Sequence, residues 1–195
     1  MKFSSQEEYG LRCLLRLGIR HQQQRLAPPV RGTAPHASRW SVPSSPGPED
    51  STAQSGAGGL TIPEIARLEG ISVPYVAKMM RVLRTGGLVT SARGAAGGYV
   101  LARPPEQIAV GEALAVLGGR LYEPSFCEMH SGEERICTHS VNCSLRSLWR
   151  SLQLVLDQVL DKTSLRDLLC NESEMTTWID HLVTVSGLAT VSSKN

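Results

Sequence analysis

The chain has 195 residues, 41% of them hydrophobic and 19% charged, with a formal net charge of +2. That length suits one small domain with a helical extension, or two small domains, and excludes a large catalytic architecture. No apolar run approaches the ~20 residues that span a bilayer, and the start Met1-Lys2-Phe3-Ser4-Ser5-Gln6-Glu7-Glu8 lacks the apolar stretch of a secretory signal. The expectation is a soluble, cytoplasmic protein without a membrane partner.

Tyr9, Cys13, Leu14 and Leu17 recur at helical spacing within residues 4 to 21, behind a start signal in which Ser4 or Ser5 precedes a Glu by three residues. From about 22 to 59 the composition turns to Gln, Pro, Ser and Gly, with Pro28-Pro29, Pro46-Gly47-Pro48 and Gly56-Ala57-Gly58-Gly59, which reads as a disordered insertion. Thr61-Ile62-Pro63-Glu64 then combines an N-cap, an early proline and a capping Glu, opening a short helix that stops at Gly70. A second helix is expected from Val73 to Thr85, with Val76, Met79, Met80 and Leu83 inward and Gly86-Gly87 at its end. Two short helices joined by a tight glycine turn form a helix-turn-helix.

The β-prone runs Leu88-Val89-Thr90-Ser91 and Tyr99-Val100-Leu101-Ala102 flank the turn Arg93-Gly94-Ala95-Ala96-Gly97-Gly98, so a hairpin follows as a wing. Val110 to Leu117 reads as a short helix and 120 to 143 as a loop. From Ser144 the residues Leu145, Leu148, Leu152, Val155 and Val159 step by three and four, the seam of a packed helix pair. A long helix at the end of so small a domain has little core of its own to cover it, so this seam is assigned to a homodimer. Thr163-Ser164-Leu165-Arg166-Asp167 carries a new cap signal ahead of a shorter helix through Val183.

The expected fold is therefore mainly α with a small β wing: a winged helix-turn-helix domain on 1–21 and 60–119, the insertion at 22–59, a cysteine loop at 120–143, dimerisation and C-terminal helices at 144–183, and a tail at 184–195. Residues 67 to 103 hold six Lys/Arg against one Glu, whereas 106 to 195 hold seven against twelve Asp/Glu. A basic middle of this kind attracts phosphates, although a charged face can also be merely solvated. No G-x-S-x-G elbow or Walker loop appears, and Gly94 to Gly98 leads into a strand rather than a helix, so an enzyme is not expected.

Five cysteines are an odd number for a disulfide framework in a chain without an export signal. Cys13 and Cys170 sit in apolar patterns and read as buried small hydrophobes; Cys127, Cys137 and Cys143 cluster within 17 residues, spaced C-x9-C-x5-C. Three thiolates from one loop can hold an iron-sulfur cluster with one position open. Zinc is the rival, with His130 or His139 completing a Cys3His site.

Leu60-Thr61-Ile62-Pro63-Glu64-Ile65-Ala66, Gly70-Ile71-Ser72-Val73-Pro74-Tyr75-Val76, Leu83-Arg84-Thr85-Gly86-Gly87-Leu88-Val89 and the wing Arg93 to Arg103 together closely resemble the IscR/NsrR-type (Rrf-two) family of winged-helix repressors. The resemblance covers 1 to about 21 and 60 to about 170, and the Arg-Gly-x-x-Gly-Gly-Tyr-x-Leu-Ala wing is its most specific part. It implies a double-stranded DNA operator as partner, with Ser72, Pro74, Tyr75, Lys78 and Arg81 as contact candidates on the recognition helix and Arg93 in the minor groove. Ser72 is also expected to cap that helix, and for Tyr75 inward packing weighs equally with contact. Ala77 stands where the family often carries a polar residue, so a relative's base preference does not transfer.

Cluster-binding members place three thiolates where Cys127, Cys137 and Cys143 stand, which implies an iron-sulfur cluster here, 2Fe-2S ahead of 4Fe-4S. In one branch of the family a His after the third Cys is the fourth ligand, but position 146 is Arg; in another it is an acidic residue of the partner's first helix, and Glu8 matches it. Glu8 is set ahead of His130, His139 or solvent, although Ser5-x-x-Glu8 also reads as a capping box. The implied function is a transcriptional regulator, a repressor, sensing redox state, nitric oxide or iron-sulfur status. The alternatives are a cluster-free or zinc-bearing regulator responding to thiol oxidation, and an iron-sulfur carrier with a vestigial DNA domain.

Overall fold

The computed structural model describes residues 4–26, 58–92, 97–123, 125–131, 137, 139 and 141–185. In chain order these form α1 (Ser5–Leu26), α2 (Ile62–Glu69), α3 (Val73–Thr85), β1 (Val89–Ala92), β2 (Gly98–Leu101), a 3-10 turn (Pro105–Gln107), α4 (Val110–Leu117), α5 (Phe126–Met129), α6 (Ser144–Leu160), a second 3-10 turn (Asp167–Leu169) and α7 (Glu172–Val185). The fold is mainly helical with one two-stranded antiparallel sheet, as expected.

One core joins these elements. Cys13, Leu14 and Leu17 of α1 meet Ile65 and Ala66 of α2, Val76, Met79, Met80 and Leu83 of α3, Leu88 and Val89, and Ala113 and Leu117 of α4. Each large aliphatic side chain buried there contributes about 1.5–3 kcal/mol. The spacing of 76, 79, 80 and 83 puts these four on one stripe of α3 and turns Pro74, Lys78, Arg81 and Arg84 to solvent.

Local chemistry sets the boundaries. Thr61 and Glu64 form a reciprocal capping box on α2, with the Thr61 N–H donating to Glu64 Oε2 at 2.7 Å and the Glu64 N–H to Thr61 Oγ1 at 3.4 Å. Gly70 ends α2 at φ 65°, a left-handed conformation that costs other residues energy and here makes the tight turn into α3. In the wing, Val89 pairs with Leu101 and Ala92 with Gly98. Leu60 bridges the other edge of β2, exchanging hydrogen bonds of 3.0 and 2.8 Å with Tyr99. A Cβ on the preceding Gly59 would lie 2.6 Å from the Tyr99 carbonyl oxygen, so the close approach of the two segments requires glycine there.

Four expectations are corrected. Helix α1 runs to Leu26, five residues into the segment read as disordered, because Gln22, Gln23, Gln24 and Arg25 are good helix formers and need no apolar stripe to continue a helix already anchored on the core. The insertion's two ends are tied by a 3.0 Å bond from Gln24 Nε2 to the Gly58 carbonyl; 27–57, the rest of the insertion, lie outside the described residues, as does the tail beyond 185. The cysteine loop contains a helical turn, α5, where Met129 N–H reaches Ser125 O at 3.1 Å and His130 stacks on Phe126 one turn earlier. Cys170 is exposed rather than buried, since the chain there makes a 3-10 turn instead of continuing a helix. The initial cap is built by Ser4 and Glu7, not by Ser5 and Glu8: Ser4 N–H donates to Glu7 Oε2 and Glu7 N–H to Ser4 Oγ.

The Thr61 hydrogen bonds hold the Glu64 carboxyl below its ordinary value. A carboxylate with a depressed folded-state pKa stabilises the fold above its unfolded value and loses that contribution as pH falls through the folded one. Thr61→Ala is expected to cost about 1 kcal/mol at neutral pH in urea unfolding, with the deficit shrinking once Glu64 is protonated in acid; a deficit independent of pH would contradict this.

Candidate DNA interface and cysteine site

The helix-turn-helix presents a continuous basic edge. Ser72 at the start of α3 and Pro74, Lys78 and Arg81 on it are exposed, and Arg84, which is not among the contact candidates named from the sequence, continues the same face one i+3 step beyond Arg81. Ser72 occupies the N-cap position, yet its hydroxyl makes no capping bond. The reason lies in its neighbours: Pro74 has no N–H to offer, and the Tyr75 N–H is already used on the Ser72 carbonyl at 3.0 Å. The expected cap is thus absent and the hydroxyl stays on the surface.

Tyr75 is half-buried, its ring edge-on to Tyr9 of α1 at 5.3 Å and the Lys78 ammonium 5.7 Å from its centroid. Its ring packs between helices while its other side supports Lys78. The turn of the motif is held by charge: Arg12 Nε lies 3.0 Å from Glu69 Oε2 and Arg16 Nε 2.6 Å from Glu69 Oε1. Residues 93–96, including the wing candidate Arg93, lie outside the described residues.

The five cysteines divide by environment. Burial, with the Glu69 charge second, pushes the Cys13 thiol up to about 12, so it is an inert core residue, as expected. Cys127, Cys137 and Cys143 are each half-buried and free of disulfides. Cys127 sits on α5 with its sulfur 3.6 Å from the Tyr122 hydroxyl. That contact, with burial second, raises the Tyr122 hydroxyl above its ordinary value. Cys143 is the N-cap of α6, its sulfur accepting the Arg146 N–H at 3.3 Å.

These sulfurs suit a soft metal group in their chemistry: two already have a hydrogen-bonding neighbour, the usual support for a ligating thiolate. In arrangement they are not yet gathered. Among the described residues no three His, Cys, Asp or Glu side chains converge on one point, and 132–136, between Cys127 and Cys137, are outside the described residues. His130 is engaged with Phe126, ring centroids 4.0 Å apart and Nδ1 2.9 Å from the Phe126 carbonyl; His139 is exposed. Glu8 is exposed on the first turn of α1, and because Glu7 makes the cap, its carboxylate is not consumed by one.

Comparison with known proteins decides the family. The profile of Rrf2, described as an iron-dependent transcriptional regulator, matches residues 51–171, more than half of the chain. The chain belongs to the Rrf2 family. The HTH-type transcriptional regulator IscR of Sodalis glossinidius is 32% identical over 123 residues, covering 63% of this chain and 72% of that protein. Protein rrf2 of Nitratidesulfovibrio vulgaris is 35% identical over 114 residues, 58% of this chain and 73% of its own length. Among solved structures, CymR of B. subtilis, described as the global cysteine regulator, aligns with a TM-score of 0.54 at 25% identity over 87% of this chain and 96% of its own. T. potens IscR aligns at 0.55 over 100% and 94%, its 23% identity supporting the winged-helix fold alone. An Rrf2-family chain is a transcriptional regulator, a non-enzymatic class, and no helix among the described residues is long and apolar enough to cross a membrane.

For the basic edge of this Rrf2 chain, Arg81→Ala is expected to weaken binding to a duplex selected from a random pool. If Arg81 neutralises one phosphate, the slope of log affinity against log salt becomes shallower by about 0.9. An unchanged slope with about 1–3 kcal/mol of loss at a single base position assigns Arg81 to base readout instead.

Proposed function

We propose that the chain is a dimeric repressor that binds double-stranded DNA through α3 and the wing, and whose affinity is set by an iron-sulfur cluster on Cys127, Cys137 and Cys143, with Glu8 of the partner subunit as fourth ligand and 2Fe-2S as the cluster type. The observation that carries this reading is the position of Cys143. It is the last cysteine of C-x9-C-x5-C and also the N-cap of α6, so a group bound to its sulfur acts directly on that helix.

Helix α6 in turn exposes an apolar seam: Leu145 at 60%, Leu148 at 49%, and Leu152 and Val155 at 40%. A seam of this spacing is covered most simply by its copy in a second chain, and the separation of two recognition helices then follows from the angle between paired α6 helices. When bound, the cluster supplies electron-transfer and ligand-exchange chemistry accessible to oxygen, nitric oxide or iron shortage. The chain's part is to supply three sulfurs, that of Cys143 at the start of α6, and to keep Ser72, Pro74, Lys78 and Arg81 on an exposed face for DNA, with Tyr75 supporting Lys78. A cytoplasmic location accords with a DNA partner.

A second reading has support of its own. All five cysteines are free, Cys170 among them exposed, and a structural neighbour, CymR, is described as a cysteine regulator. A cluster-free or zinc-bearing regulator responding to thiol oxidation would use the same helices without iron.

The deciding measurement is the visible spectrum with iron and zinc content of protein purified without oxygen, for the wild type and Cys137→Ala. The expected result is a brown, iron-containing wild type bleached by the substitution; a colourless protein lacking iron after reconstitution overturns the cluster and leaves the thiol or zinc reading. Separately, Leu152→Asp places a charge in the seam and is expected to shift light-scattering mass from dimer to monomer and to weaken DNA binding by tenfold or more, about 1.4 kcal/mol or greater. A wild type that is monomeric at the concentrations that bind DNA would refute the seam's role.

A further inference from the structure

The buried residue of α6 is polar. Gln153 is 7% exposed, whereas the seam residues on the other side of the helix stand open. A buried amide persists only when its hydrogen bonds are made, and leaving one unmade costs about 1–3 kcal/mol. Gln153 makes them in two directions. Its Oε1 accepts the backbone N–H of Tyr122 at 3.0 Å, and its Nε2 donates to Asp157 Oδ1 at 2.7 Å. Asp157 Oδ2 then accepts from Arg120 at 2.8 Å, so residues 120 and 122 are both strapped to one turn of α6. The Arg120 pair is exposed and adds little; the Gln153 bond is the anchor.

Tyr122 extends the strap to the cysteine segment. It is buried, its ring tilts against Phe126 at 5.8 Å, and its hydroxyl lies 3.6 Å from Cys127 Sγ. A ligating thiolate carries no proton, so in that state the hydroxyl can only be the donor in this contact.

We infer that Tyr122 and Gln153 are positioning residues that connect Cys127 to the middle of α6: the Tyr122 hydroxyl donates to the Cys127 sulfur, and the Gln153 amide fixes the Tyr122 backbone to the helix. This rests on the reading of Cys127 as a cluster ligand. The cysteine site then meets α6 at two places, at its N-terminus through Cys143 and about three turns further on through Gln153. A change at Cys127 that moves the Tyr122 backbone breaks or remakes the buried Gln153 bond, and such a bond is made or unmade rather than graded. The Tyr122 donor also withdraws negative charge from the ligand sulfur, favouring the reduced state of a bound cluster.

The test uses the full chain, purified without oxygen, as wild type, Tyr122→Phe and Gln153→Leu. Each is measured for iron per protein, midpoint potential, and hydrogen exchange of the amides at 149–157 before and after removal of iron by a chelator. In the wild type, iron removal is expected to change exchange in that stretch by roughly threefold or more. Tyr122→Phe, which keeps the ring and its packing, is expected to retain iron, shift the midpoint downward and lose most of that change. Gln153→Leu is expected to retain iron and a near-native midpoint while losing the change. Iron-loaded variants that keep both the wild-type potential and the wild-type exchange response overturn the inference while leaving the cluster reading intact. A wild type without iron overturns the cluster reading and this inference with it. If Gln153→Leu does not fold, as judged by circular dichroism, Tyr122→Phe decides alone.

Discussion

The rest of the structure depends on the burial of one stripe of α1. Cys13, Leu14 and Leu17 are almost fully enclosed, and the helix carrying them touches α2, α3, β2 and α4. The helix-turn-helix has too little apolar surface to close a core alone, so α1 supplies the missing wall, and the orientation of α3 is defined relative to α1 rather than only to α2. The polar residues around the stripe reinforce it: Arg12 and Arg16 hold Glu69 at the end of α2, and Gln6 reaches the Leu117 carbonyl at the end of α4 at 2.8 Å. The same helix presents Glu8 on its first turn and Tyr9 against the recognition-helix Tyr75. Helices α2, α3 and α4 therefore take their positions from one shared reference, α1. Gln24 and Gly58 join across the base of the connection between α1 and α2, and lengthening a surface connection costs little once its ends are fixed.

Helix α6 has the reverse character. Its seam residues Leu145, Leu148, Leu152 and Val155 face outward, Trp149, Leu156, Val159 and Leu160 are only half-buried, and its one buried residue is an amide, an arrangement that adds little to the stability of a single chain. A helix built for its own domain would bury the leucines and expose the glutamine. The observed distribution makes sense when the leucines await another surface and the glutamine serves to register the 120–127 segment on the helix. Stability resides in the α1 core; the 120–127 segment is attached to α6 through polar bonds whose making and breaking involve a few kcal/mol at most.

The elements of the winged domain were largely legible because each was punctuated locally. Thr61-Ile62-Pro63-Glu64 marks the start of α2, Gly70 its end, and the glycines after Thr85 the end of α3, and these signals act within a few residues of themselves. The α3 core stripe and the α6 seam were equally readable, being simple periodicities. What misled was local inference applied to hydrogen bonds with competing partners. Ser72 has the residue type of a cap but no available amide, Ser5 and Glu8 have the spacing of a box that Ser4 and Glu7 make instead, and Cys170 follows an apolar pattern on a stretch that turns rather than coils.

By itself the sequence determined the winged-helix architecture, which rests on periodicity and caps, and its wing and helix-turn-helix motifs carried the resemblance to the family. Only the tertiary structure decided that Tyr75 packs on Tyr9, that Arg84 shares the exposed face of Lys78 and Arg81, and that Cys143 caps α6 while Cys127 meets Tyr122. The strap from Tyr122 to Gln153 spans 31 residues of chain. No local signal announces such a bond, because a glutamine in a helix carries the same propensity whether it faces water or a buried amide; which of the two it meets is settled when the segments pack.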